Sequence, residues 1–156
     1  MPILTRRQKV LSDLETVFAF FEDPLNLEII TPPWLHFEVH EATDDRVRLG
    51  TEIAYKLKWQ VFPMSWRSRI SEYEPRVLFA DEMLQGPYRH WYHRHLFEEV
   101  PGGILVTDVV NYELPFSLLG EIAHRFVIRE QLERIFDYRR DVIAEIFHSG
   151  AVVGLG

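Results

Sequence analysis

The side chains best suited to chemistry lie on two neighbouring segments near the middle of the chain. His93 and His95 alternate along one segment, and Asp108 lies on the next, after a Pro-Gly-Gly turn signal. We expect that turn to close a β-hairpin in which Phe97 pairs with Val106. In this register His95 faces Asp108 at a Cβ separation of about 5 Å, which lets an imidazole and a carboxylate hydrogen-bond.

Two interpretations of these polar residues follow from the sequence. In the catalytic interpretation, Asp108 orients His95, and His95 or His93 acts as a general acid or base on a carbonyl ligand. In the structural interpretation, the residues form a buried, mutually satisfied group that lines a pocket or braces the sheet. We favour the structural interpretation, because buried polar groups must be paired whether or not they react.

A metal site is a weaker interpretation of the same histidines. A His-x-His strand supplies two ligands to zinc, and only Asp108 is a natural third, because His36 and His40 are predicted to face solvent. The sequence also has no Cys, no Gly-x-Ser-x-Gly turn and no Gly-rich phosphate loop before a helix. We therefore predict no bound metal and no other cofactor.

Aromatic residues make up 13% of the chain, and all four tryptophans fall in its first two thirds. Any single ring is best explained by core packing, but several large rings on one concave sheet are hard to interdigitate without a void. Tyr and Trp also carry polar groups that a ligand of mixed polarity can use. The predicted ligand-binding set joins these rings to the polar residues: Tyr55, Trp59, Trp66, Trp91, His93, His95, Asp108, Tyr112 and Phe126.

Alternating apolar and polar residues predict the sheet that must position these side chains. A first strand is followed by a capping-box sequence, Ser12-Asp13-Leu14-Glu15, which predicts a helix beginning there, and by a second short helix. Six further strands separated by short turns predict an antiparallel meander. The predicted strands cover residues 3–10, 35–40, 46–60, 64–73, 77–83, 88–99 and 104–114, and the second helix covers 25–30.

A long helical pattern over residues 120–148 follows the last strand. At 1.5 Å per residue the helix is roughly 40 Å long, enough to cross a whole sheet, and its wide apolar stripe needs a large concave partner. Phe126 is predicted to join that stripe, whereas Arg139 and the other arginines of the helix are predicted to lie mostly off it. The predicted organisation is one domain over residues 1–148 and a flexible tail over 149–156.

The net charge and composition of the chain argue against several classes of protein. A formal charge of −7 argues against a nucleic-acid partner, because phosphate neutralisation needs clustered Lys and Arg. No apolar run resembles a signal peptide or a membrane span, and the absence of Cys is compatible with a reducing compartment, so we expect a cytoplasmic protein without membrane insertion. Exposed strand edges and the short helices leave a homodimer open.

Four segments carry a resemblance to a known family. They are residues 17–27, 86–97, 107–108 together with 112–116, and 134–139, which include Gly86-Pro87-Tyr88 before Trp91 and Tyr112-Glu113-Leu114-Pro115 at the end of the last strand. In these segments the sequence resembles the SRPBCC superfamily of START-type lipid carriers, pollen-allergen-like proteins and polyketide cyclases. The resemblance implies an α+β helix-grip fold, in which a curved seven-stranded antiparallel sheet wraps a long C-terminal helix around a cavity.

For function, the resemblance implies a ligand class rather than a reaction. Members of the superfamily bind lipids, sterols, hormones, quinones or polyketides, and some catalyse cyclisation or hydration. We expect a module that binds or carries a small hydrophobic or aromatic molecule. One alternative is a cyclase or dehydratase, a lyase using His95 and Asp108 as an acid–base pair with Tyr112 as hydrogen-bond donor. The other is an interaction or stress protein with a vestigial cavity and a filled, dry core.

Overall fold

The computed structural model describes residues 2–115 and 122–150. The predicted helix start at Gly120 and most of the predicted tail, residues 151–156, lie outside this range. The strands are β1 (Ile3–Val10), β2 (Glu38–Ala42), β3 (Glu52–Trp59), β4 (Phe62–Glu74), β5 (Leu78–Gln85), β6 (His90–Val100) and β7 (Gly103–Glu113). The helices are α1 (Leu14–Glu22), α2 (Asn26–Ile30) and α3 (Ile122–Ala144), with a π-helical turn at Glu145–Gly150.

All seven strands form one antiparallel sheet in the order β1-β7-β6-β5-β4-β3-β2. The meander from β2 to β7 is confirmed, and β1 pairs with β7, so α1 and α2 connect opposite edges of the sheet. Helix α3 follows the last strand and packs on the sheet. This is the predicted helix-grip architecture.

The register of the β6–β7 hairpin matches the predicted one. His95 pairs with Asp108, and Phe97 pairs with Val106. The turn between the strands places Gly102 at φ +87°, a conformation that L side chains rarely adopt. The turn residue types therefore predict which side chains meet across this hairpin.

Two strands begin later in the structure than the sequence pattern predicts. Residues Pro33–Leu35 form a single 3-10 turn and His36 is left-handed at φ 48°, so β2 begins only at Glu38. The next predicted strand begins six residues late, because Val47 instead donates its backbone N–H to the Glu22 carbonyl oxygen. Apolar alternation alone does not distinguish a strand from an extended loop that packs one side chain inwards.

The N-cap of α1 is Asp13 rather than the predicted Ser12. The Asp13 carboxylate accepts hydrogen bonds from the Thr16 backbone N–H at 2.9 Å and from the Thr16 hydroxyl at 2.8 Å. We expect Asp13→Ala to lower the free energy of unfolding by about 1 kcal/mol, measured by urea denaturation. Ser12→Ala is the control, and a larger loss from Ser12→Ala than from Asp13→Ala would contradict the assignment.

Helix α3 packs closely on one edge of the sheet and stands away from the rest. Leu132 and Phe136 of the helix pack with Leu4 of β1 and with Val110 and Tyr112 of β7. The Arg6 side chain on β1 also donates to the Asp137 carboxylate on the helix at 2.6 Å. Because α3 is held against β1 and β7, space remains between the helix and strands β3 to β6.

Among the described residues, no helix combines the length and the apolar character that crossing a membrane requires.

Candidate functional site

A cavity of about 290 Å³ lies between α3 and the concave face of β3 to β6. This volume is at the lower end of the roughly 300–1,000 Å³ that small-molecule sites occupy. Ile128, Ile135 and Leu132 line it from the helix, and four rings of the predicted ligand-binding set line it from the sheet. Those rings are Tyr55, Trp59, Trp66 and Trp91.

The rings of the cavity wall pack against one another. Tyr55 stacks on Trp66 with ring centroids 5.7 Å apart, and Trp91 meets Trp66 edge-on at 5.2 Å. The Trp66 indole N–H donates to the Ser68 hydroxyl at 2.9 Å, so this polar group is satisfied within the wall. The sheet face therefore offers a ligand a preformed surface of aromatic rings.

Two predicted wall residues lie elsewhere. Phe126 is 71% exposed and does not line the cavity, which corrects its prediction as a wall residue. It precedes Ile128 by two positions, about 200° around the helix axis, so it faces away when Ile128 faces inwards. Tyr112 is buried in the cluster that β7 forms with Leu132 and Phe136 of α3, and it does not line the cavity either.

Five polar side chains form one buried network at the end of the cavity near α3. Asp108 Oδ1 accepts from His93 Nε2 at 2.8 Å and lies 3.3 Å from His95 Nδ1. His95 Nε2 donates to Asp81 Oδ2 at 2.8 Å, and Arg139 Nη2 lies 3.5 Å from Asp108 Oδ1. The structure thus brings together the three predicted polar residues and adds Asp81 and Arg139.

The network differs from the predicted acid–base pair. His95 faces Asp108 in the strand register, yet the shorter contact of Asp108 is to His93, and the shorter contact of His95 is to Asp81. His93, His95 and Asp81 line the cavity, whereas Asp108 lies behind them. Asp108 therefore acts on the histidines from outside the cavity.

Asp81 and Arg139 are absent from the predicted set of site residues, although the sequence places each of them on an apolar face. Asp81 shares its strand face with Phe79 and pairs with His93. Arg139 lies three positions after Phe136 and four before Ile143, both of which are buried, so helical spacing places it on the apolar stripe. The prediction that put Arg139 off this stripe is wrong, because the residue is 9% exposed.

The network keeps both carboxylates ionised. Burial by itself would raise the pKa of Asp108, but the Arg139 charge and the hydrogen bonds from His93 and His95 outweigh it and hold that pKa well below 3.8. The pKa of Asp81 is also lowered, because its hydrogen bond from His95 and the nearby positive charges outweigh its burial. Asp81 and Asp108 are therefore anions inside the fold.

The pKa values of the two histidines are shifted in opposite directions. Burial lowers the pKa of His93 below 6.5, and the charge of His95 lowers it further, against the effect of Asp108. For His95, hydrogen bonds to Asp108 and Asp81 outweigh burial and raise the pKa above 6.5. Of the two imidazoles, His95 is therefore the one that takes up a second proton more readily.

Asp81, His93 and His95 also have the residue types and proximity of a metal site, since one donor atom from each lies within 4.8 Å of the others. Asp81 takes the place of Asp108, the third ligand considered from the sequence. However, the two imidazole rings stack at 3.8 Å and 26°, so their in-plane lone pairs run side by side instead of converging on one point. The geometry favours a hydrogen-bonded network over tetrahedral coordination.

Fold and cavity together define a helix-grip protein with a cavity between the sheet and the long helix. The sequence profile of the family described as polyketide cyclase / dehydrase and lipid transport matches residues 12–137, and the chain belongs to that family. The SRPBCC resemblance is confirmed. The description unites proteins that handle small organic ligands, so ligand binding in general follows from membership. Comparison with curated protein sequences gives no match.

Solved structures share this fold at low sequence identity. A major latex-like protein from Panax ginseng is 15% identical with a TM-score of 0.66, and the alignment covers 92% of this chain and 96% of the ginseng chain. Protein Ms6760 from Mycobacterium smegmatis is 18% identical with a TM-score of 0.69, covering 95% and 92%. Protein CV1439 from Chromobacterium violaceum is 12% identical with a TM-score of 0.70, covering 94% and 98%. These similarities establish the architecture.

Proposed function

We propose that this protein binds or carries a small hydrophobic, aromatic compound in the cavity between the sheet and α3. The observation that carries this proposal is the ring-lined cavity of about 290 Å³, which remains open although both ends of the core around it are well packed. A protein with a vestigial site would be expected to fill this space. Burial of a flat apolar ligand against these rings supplies the driving force for binding.

Titration with N-phenylnaphthylamine, a neutral probe whose emission rises in apolar surroundings, tests the proposal. We expect saturable binding to the wild-type protein. Ile128 lines the cavity, so Ile128→Trp fills part of it and should weaken binding by about tenfold or more.

The adjacent residue provides a matched control for this titration. Val127 is 45% exposed, so Val127→Trp adds the same side chain outside the cavity and should leave the affinity unchanged. Absence of saturable binding to the wild-type protein, or equal losses in the two variants, would reject the cavity as the binding site. Native mass spectrometry of protein from its own source would then identify the class of any bound compound.

A second candidate is a cyclase or dehydratase, and the buried carboxylate–imidazole network at the cavity supports it. Both nitrogens of His95 already face carboxylates, so the ring has no free lone pair with which to act as a base. This arrangement argues against His95 as the general base. Under the binding proposal His95→Gln keeps most of the affinity for the probe, whereas under the catalytic proposal it abolishes turnover of a polyketide substrate without abolishing binding.

A further inference from the structure

The polar end of the cavity is electrically balanced before any ligand enters. Asp81 and Asp108 are negative and Arg139 is positive, and His95, whose two ring nitrogens both face carboxylates, brings the sum of charges to zero when it carries its second proton. His93 adds no charge when it is neutral. A ligand that brings a charge into this buried, mostly apolar space must therefore leave that charge uncompensated, at a large desolvation cost.

Each of the two cations already faces a carboxylate. His95 Nε2 donates to Asp81, and Arg139 Nη2 lies against Asp108. The Arg139 guanidinium also lies over the Phe21 and Phe136 rings, with its central carbon 5.4 and 5.6 Å from their centroids. Its Nε is buried and has no hydrogen-bond partner among the described residues, so a ligand in the cavity cannot reach that donor.

Acceptors, in contrast, remain available at the cavity surface. The Asp81 side chain is 18% exposed, more than any other member of the network, and it lines the cavity. Its Oδ2 atom takes the His95 proton, and within residues 2–115 and 122–150 no contact to Oδ1 competes with a ligand. His93 donates from Nε2 to the Asp108 carboxylate, which leaves Nδ1 of the neutral ring as a second acceptor.

One donor lies close to these acceptors. The Tyr55 hydroxyl lines the cavity, lies 3.4 Å from the Ser68 hydroxyl, and is near enough to Asp81 to sense its charge. Ser68 accepts from the Trp66 indole, so its own proton can go to Tyr55 and free the Tyr55 proton for a ligand. A ligand hydroxyl can both donate and accept, which matches this pairing.

Resting on the proposed function, we infer that the ligand is a neutral hydroxylated aromatic compound whose O–H group donates to the free oxygen of Asp81. A carboxylic acid does not fit, because its carboxylate would face the Asp81 carboxylate and give the site a net negative charge. An ammonium group would find the acceptor but would leave the balanced site with a net positive charge. A hydroxyl supplies the hydrogen bond and adds no charge.

Calorimetric titration with naphthalene, naphthol and naphthoate at neutral pH tests this inference, because the three probes share one ring system. We expect naphthol to bind about tenfold or more tightly than naphthalene, as suits a hydrogen bond to a charged acceptor, and naphthoate to bind most weakly. In Asp81→Asn the advantage of naphthol over naphthalene should shrink several-fold. Glu82→Gln, on the outer face of the same strand, should keep the wild-type ratio.

The outcomes separate the inference from the function on which it rests. Binding of naphthalene with equal or tighter binding of naphthoate would overturn the hydroxyl assignment and leave the cavity function standing. An unchanged naphthol advantage in Asp81→Asn would overturn the role of Asp81. If none of the three probes binds the wild-type protein, the proposed function fails as well. The wild-type comparison alone decides the hydroxyl question if Asp81→Asn does not fold.

Discussion

Replacing Arg139 by methionine is expected to lower the free energy of unfolding by about 3–5 kcal/mol, the cost of removing one partner from a buried ion pair. Arg139 is 9% exposed and lies 3.5 Å from Asp108 Oδ1. Methionine keeps much of the volume between Phe21 and Phe136 but leaves the Asp108 carboxylate without its cation. Urea denaturation followed by circular dichroism measures the loss.

The neighbouring arginine gives a matched control. Arg140 is half exposed and pairs with Asp141 and Asp137 at the surface, so Arg140→Met should cost less than about 1 kcal/mol. Equal losses in the two variants would show that the buried pair contributes nothing beyond an ordinary surface arginine. The double variant Arg139→Met with Asp108→Asn should recover part of the loss, because the uncompensated buried charge is then gone.

The elements of this fold could be predicted from the sequence because each rests on local physics. Alternation gave the seven strands, helical periodicity gave the long helix, and the Pro-Gly-Gly turn gave the register that sets His95 opposite Asp108. The predicted strand bounds differ from the structure at places such as Val47, whose buried side chain belongs to a loop. A buried side chain in a loop and a buried side chain in a strand give the same apolar pattern in a short sequence window.

The membership of the polar network depended on packing between distant elements. The packing of α3 on the sheet brings Arg139 to Asp108, and the β5–β6 pairing brings Asp81 close to His95. A sequence pattern predicts that charged residues lie at the surface, because they are rarely buried without partners. In this protein the partners lie on other elements, so the pattern does not reveal them. The same packing buries Tyr112 beside Leu132 and Phe136 of the helix and leaves the cavity on the other strands, which one-dimensional patterns cannot specify.

The second large effect concerns pH and Asp108. Because the folded protein holds the pKa of Asp108 well below 3.8, the folded state binds fewer protons than the unfolded chain around that pH. The stability that Asp108 contributes is therefore fully present above 3.8 and is lost as the pH falls through the pKa of the folded state. Asp108→Asn should cost about 3–5 kcal/mol at neutral pH, because Arg139 is left buried without its anion.

The decisive measurement is how the difference in the free energy of unfolding between wild type and Asp108→Asn changes with pH. Urea denaturation over a series of falling pH values should show the two stabilities converging, since a protonated Asp108 and an asparagine are both neutral. Asp141→Asn, at an exposed carboxylate on the same helix, should differ from wild type by less than about 0.5 kcal/mol throughout. If the difference in the free energy of unfolding persists unchanged at acid pH, Asp108 stabilises the fold by its shape and hydrogen bonds. If the two free energies converge, the stabilising property is the charge of Asp108, which lies between Arg139 and the histidines.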